Sequence, residues 1–146
     1  MRTGIQLAAN ADGRTARGRL FQRRWTMELP DIVERWIAAQ TGKFDLEKYL
    51  SLFTEDVTFR DGETGKTIHG KQELSEFVRP FTQLSELSPR VRGSAVNGDT
   101  VFVEGELKGT APTGAQMTAR GAGVFRMTGD KISSFAMYMF RGNVAV

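Results

Sequence analysis

Apolar residues recur at helical spacing over the first part of the chain and alternate over the second. Leu29, Ile32, Val33, Trp36 and Ile37 form one helical stripe with Pro30 near its start, and "GKF" breaks the run. Asp45 can cap a second helix whose inner face is Leu46, Tyr49, Leu50 and Phe53. A third helix presents Leu74, Phe77, Val78 and Phe81, with Pro80 expected to kink or end it. Between the last two, "VTFRDGETG" starts as a strand and ends in a turn, and "KTIHG" adds a short extended piece.

After "LSPR" the chain turns to strands. "RVRGSAV" is joined to "TVFVEGELKG" by "NGD", "TAPTGA" leads into "QMTARGAGVFRM", and "TGD" leads into "KISSFAMYMF". Helices followed by a long meander predict an α+β fold, with three N-terminal helices packed on one face of a curved, mostly antiparallel sheet. Alternation sets Val101, Val103, Gly105 and Leu107 against Phe102, Glu104 and Glu106. It likewise sets Gly121, Gly123, Phe125 and Met127 against Arg120, Ala122, Val124 and Arg126. In the last strand Phe135, Met137 and Met139 oppose Ser134, Ala136, Tyr138 and Phe140. Cross-strand pairing of Glu104 and Glu106 with Arg120 and Arg126 is expected on the polar face.

Gly105, Gly121 and Gly123 interrupt the apolar face, and two uses for them stay open. They leave a hollow roofed by Trp36, Phe53, Phe77 and Phe81, or they let the sheet bend and the helices come close. On the first reading Trp36, Phe77 and Phe81 contact a hydrophobic ligand from the helices, and Phe59 contacts it from its strand. Val101, Val103, Gly123, Phe125, Phe135, Met137 and Met139 contact it from the sheet. Trp36 suits the core as well as it suits a pocket, and so do the two methionines.

Alternation also puts Asp61 on the same side as Val57 and Phe59, a carboxylate next to two core positions. As a general base in an apolar cavity it would be desolvated, with its pKa raised above the usual 3.9 or so. As the first residue of a "DG" turn it would cap backbone amides instead. Glu63, in the same turn, is a second acid or a solvated turn residue. His69, before the third helix, is expected to hydrogen bond at the helix start rather than to catalyse.

Composition narrows the classes. The 146 residues suffice for one domain with one core, and 40 % hydrophobic with 25 % charged residues is ordinary for a globular chain. There is no cysteine and a single histidine, so a disulfide framework, a thiolate site and a zinc or haem site are disfavoured; no metal or other cofactor is expected. No apolar run approaches the roughly 20 residues that span a bilayer. Six arginines against one acid give residues 1–26 a charge of +5, leaving −2 for the rest of a chain whose net charge is +3. Nucleic acid is therefore not an expected partner of the folded part, and neither is a membrane. Residues 1–26 read as a basic, flexible extension; an organelle transit peptide or a nucleic-acid arm would share that composition. Residues 27–146 read as the single domain, and the cytoplasm as its place.

Three strings, "FDLEKYLSLFTEDVTFRDG", "IHGKQELSEF" and "TARGAGVFRMTGDKISSFAMYMF", stand in an order and spacing that resemble the superfamily of nuclear transport factor 2, ketosteroid isomerases and SnoaL-like polyketide cyclases. The likeness covers about residues 29 to 141. It implies a cone, helices lining a strongly curved sheet around a deep apolar cavity. It also implies a homodimer through the outer sheet face, for which Phe102, Tyr138 and Phe140 are available.

Residue by residue, the resemblance carries over unevenly. Asp61 stands where ketosteroid isomerases keep their catalytic base. Their oxyanion-holding tyrosine and protonated aspartic acid fall on Ile37 and Gly123, which have no side-chain donor. The acid/base aspartate and partner histidine of SnoaL-like cyclases fall on Met137 and Gly123. Two functions remain. One is a proton-transfer enzyme (isomerase, cyclase or lyase) using Asp61 on a polyketide-, terpenoid- or steroid-like molecule. The other is a non-catalytic binder of a hydrophobic small molecule in the same pocket.

Overall fold

Pro30 leaves its carbonyl free to accept from Val33 N (2.9 Å) and Glu34 N (3.1 Å), which starts the first helix, α1 (Asp31–Ala38). The structure, a computed structural model, describes residues 29–140, so the reading of residues 1–26 lies outside the described residues. Arg35 pairs with Asp31 at 2.8 Å and donates to the carbonyl of Asp130 at 2.8 Å, tying α1 to a distant turn. The Asp45 carboxylate accepts from Lys48 N at 3.0 Å and caps α2 (Leu46–Leu50). Phe53, expected on that helix, opens β1 (Phe53–Asp61) instead. The helix stops after Leu50, and Ser51 Oγ donates to the carbonyl of Lys48 at 2.6 Å.

β1 alternates as expected, with Val57 and Phe59 buried and Arg60 exposed. β2 (Thr67–His69) folds back antiparallel on it, pairing Phe59 with Ile68. α3 (Gly70–Val78) follows and passes into a 3-10 turn, Arg79–Gln83, as Pro80 requires. Four long strands follow: β3 (Ser85–Asn97), β4 (Thr100–Thr110), β5 (Gln116–Thr128) and β6 (Lys131–Met139). β3 begins before "LSPR", earlier than expected. It is an edge strand, where Pro89 can sit without removing a hydrogen bond the sheet needs.

The sheet order is β2-β1-β6-β5-β4-β3, antiparallel except for the β1–β6 pair. Gly105 and Gly121 face each other across β4 and β5, flanked by Val91 on β3 and Met139 on β6. A Cβ on Gly105 would stand 2.6 Å from the Arg90 carbonyl oxygen, and one on Gly121 would stand 2.5 Å from that of Tyr138. Only glycine permits so tight a bend, and the bend is what hollows the sheet. Of the two uses left open, Gly105 and Gly121 take the close approach of backbone, whereas Gly123 lies under the side chains of Phe135, Phe125 and Val103. At the far edge Gly42, with φ at +78°, exchanges hydrogen bonds with Leu87 of β3 (2.7 and 2.9 Å), so the α1–α2 link helps close the cone.

The helices cover the concave face. Val33, Leu52, Phe53, Val57, Leu74, Phe125, Ile132 and Phe135 are its fully buried side chains. Each large ring there contributes about 1.5–3 kcal/mol by leaving water. This is a cone with a filled tip.

Candidate functional site

The cone encloses a cavity of about 290 Å³ between the helices and the bent part of the sheet. Trp36, Phe59, Phe77 and Phe81 stand on its wall from the helical side and β1. Val103, Gly123, Phe135, Met137 and Met139 stand on it from the sheet. Val101 and Phe125, expected to contact a ligand, are buried in the core instead. The reason is Trp36: its ring packs edge-on to Phe125 at 5.5 Å and to Phe135 at 6.4 Å, capping the end of the face where Phe125 lies. Phe77 and Phe81 remain 37 % and 39 % exposed. Phe77 packs on Phe59 at 5.1 Å, and Phe81 on Phe44 at 5.6 Å.

Asp61 combines the two placements the sequence left open, a position on the cavity wall and a turn cap. As the last residue of β1 it is on the cavity wall, beside Met137 in the β1–β6 register. Its carboxylate also organises the turn: Oδ1 accepts from Glu63 N at 3.0 Å, and Oδ2 accepts from Thr64 Oγ1 at 2.9 Å. Its backbone closes the same turn, through Asp61 N to the Lys66 carbonyl (2.9 Å) and Gly65 N to the Asp61 carbonyl (2.8 Å). The turn therefore fixes the orientation of a carboxylate that borders an apolar space. Glu63 lines the cavity too.

His69 is placed differently from expectation. It precedes α3, but its imidazole makes no capping bond; its backbone N–H donates to Glu73 Oε1 at 3.2 Å. The helix start is held by Glu73 in the first turn reaching back to the N-cap amide.

Sequence reasoning passed over the polar residues Gln40 and Tyr49 on the helical side of the wall, and Arg90 and Glu106 on its sheet side. Gln40 is only 7 % exposed and donates from Nε2 to the Trp36 carbonyl at 3.1 Å. The signal was present: Gln40 follows Trp36 by four residues, and Tyr49 is on the inner face of the second helix. Burial pushes the Tyr49 phenol well above its usual range, against a smaller downward pull from the neighbouring Trp36 N–H.

Glu106 is the other carboxylate shielded from solvent. Arg120 Nε donates to it at 3.2 Å, and Arg92 stands 3.8 Å away. Burial pushes its pKa up, but the Arg120 hydrogen bond and the charges of Arg92, Arg120 and Lys108 outweigh that and hold it below the ordinary glutamate value. Glu106 thus pairs with Arg120 as expected. Glu104 lies opposite Ala122 rather than an arginine, and Arg126 lies opposite Thr100.

On the convex side Phe102, Tyr138 and Phe140 are exposed, at 45 %, 37 % and 51 %. Arg60 donates to the Tyr138 hydroxyl and its guanidinium sits 5.7 Å from the ring centroid.

The SnoaL-like domain model matches residues 33–135, the span that carries most of the cone and of its cavity wall. The chain belongs to the SnoaL-like domain family. A comparison with curated proteins finds no match. Among solved structures, a protein of Catenulispora acidiphila with a ketosteroid isomerase-like fold, in complex with trimethylamine, is 26 % identical. That match covers 76 % of this chain and 86 % of that one, with a TM-score of 0.65. A provisionally assigned SnoaL-like polyketide cyclase from Shewanella putrefaciens is 13 % identical over 77 % of this chain and 91 % of that one (TM-score 0.65). An LEH-like epoxide hydrolase of M. tuberculosis is 14 % identical over 75 % and 80 % (TM-score 0.62). The last two share the fold. Among the described residues of this SnoaL-like domain, no helix is long and apolar enough to cross a membrane. No group of three His, Asp or Glu side chains among them could hold a metal ion.

Proposed function

We propose that this SnoaL-like protein is a small-molecule enzyme of the proton-transfer type, an isomerase, cyclase or lyase for a hydrophobic polyketide-, terpenoid- or steroid-like substrate. Asp61 is its general base. The observation that carries the reading is the Asp61 carboxylate, held by its own turn on the wall of an apolar cavity. Orientation is worth more here than raw basicity, because a base already aimed at the substrate needs no ordering in the transition state. The enzyme works without metal or other cofactor, in the cytoplasm. It works as a homodimer joined through Phe102, Tyr138 and Phe140; nucleic acid and membrane are not partners.

A ketone with acidic α-hydrogens, 2-tetralone, tests the base. In D2O the wild type is expected to accelerate α-hydrogen exchange above buffer. Asp61→Asn is expected to abolish the acceleration while changing stability by about 1 kcal/mol or less, since an amide oxygen still accepts from the turn. Equal exchange by wild type and variant would remove Asp61 from the chemistry.

A second reading, a non-catalytic binder, is favoured by one observation. Gly123 and Met137 stand on the cavity wall where the resemblance places polar chemistry. A molecule that binds, is released unchanged and shows no exchange with either protein supports the binder.

A further inference from the structure

The Trp36 indole N–H is the one buried side-chain polar atom among the described residues with no hydrogen-bond partner. Unpaired buried donors are rare and costly, so this one needs a use. Its neighbour is the Tyr49 hydroxyl, and the two do not meet in hydrogen-bonding geometry. Tyr49 and Trp36 both line the cavity, as does Gln40, whose amide is anchored on the Trp36 carbonyl. Three polar side chains thus converge on a wall that is otherwise mostly aromatic and aliphatic.

We propose that Tyr49, backed by Trp36, donates a hydrogen bond to an acceptor oxygen of the ligand. A ketone, ether or hydroxyl oxygen takes the Tyr49 O–H, which leaves the phenol oxygen as acceptor for the indole N–H once a small shift of the two side chains brings them into hydrogen-bonding geometry. The indole N–H then gains the partner it otherwise lacks. The phenol stays protonated near neutral pH because its burial disfavours the phenolate.

The anchor is set apart from the base. Asp61 pairs with Met137, two residues beyond the Phe59–Phe135 pair, whereas Trp36 packs against Phe135 from the core side. The ligand class is therefore an elongated hydrophobic molecule with an acceptor oxygen at the end remote from Asp61. This inference rests on the cavity being a ligand site but not on Asp61 acting as a base.

The test is a matched pair, 2-acetylnaphthalene and 2-isopropenylnaphthalene, which differ by C=O against C=CH2. Binding is measured on protein carrying 15N-indole tryptophan, with Trp25→Phe leaving Trp36 as the single reporter. The ketone is expected to bind about fivefold tighter than the alkene and to move the Trp36 N–H proton downfield. Tyr49→Phe is expected to level the two affinities, and Trp36→Phe to narrow the gap. Should Tyr49→Phe fail to fold, the wild-type pair and the indole resonance still decide. Equal affinities, or an unmoved indole resonance at ketone saturation, overturn the anchor. Failure of both compounds to bind overturns the cavity reading and the anchor with it. A ketone preference that persists in Asp61→Asn supports the anchor independently of the base.

Discussion

The two ends of the concave sheet face carry similar apolar residues and use them in opposite ways. At the closed end Phe53, Phe125 and Phe135 are buried, with ring centroids 4.8 Å apart for the Phe125–Phe135 pair, and Trp36 caps them. Toward the open end Gly105 and Gly121 let neighbouring strands come close, and the cavity lies over this part of the sheet. One end is held together by aromatic packing. The other is shaped by backbone geometry, and that difference separates stability from binding.

Substitutions can break this comparison in order of expected size. Phe125→Ala at the closed end is expected to cost about 3–5 kcal/mol in urea unfolding, whereas Phe81→Ala at the cavity is expected to cost about 1 kcal/mol or less. Equal losses would mean the two ends are packed alike. Next, Gly121→Ala is expected to cost about 1–3 kcal/mol, because the new methyl meets a strand carbonyl at 2.5 Å. Gly123→Ala meets no backbone, only side chains with the buried Phe135 ring nearest at 2.9 Å, and is expected to cost less. The smallest effect belongs to Glu106, next to the bend. Its folded pKa is lowered, so its stabilisation is present above the unfolded glutamate value of about 4.3 and fades as pH falls through the lower folded value. Glu106→Gln is expected to be less stable than wild type at pH 7, and the gap is expected to close in acid; thermal melts between pH 7 and pH 2 read it.

The sequence made the fold legible because its signals are local. The Asp45 cap, Pro80 and the "NGD" and "TGD" turns each mark an element boundary. Where neighbours in space decide, it misled. Phe53 shares a helical stripe with Tyr49 but joins β1, since pairing with Ile132 outweighs a short helix. The strands were expected only after "LSPR", and only the sheet order reveals that β3 is an edge strand that tolerates Pro89. Alternation named the face for Val101 and Phe125 but not how far along it the hollow begins; Trp36 sets that limit. Asp61 was visible as a carboxylate on an apolar face. That its turn and its cavity position coexist required the geometry.

The most direct measurement uses the methionines. Met117, Met137 and Met139 line the cavity, while Met127 packs against the core outside it. On titrating 13C-methyl-methionine protein with 2-acetylnaphthalene, the account predicts saturable shifts for the first three and an unmoved Met127. No shift at any of them, or equal shifts at all four, would contradict a hollow open to ligands at one end of the sheet.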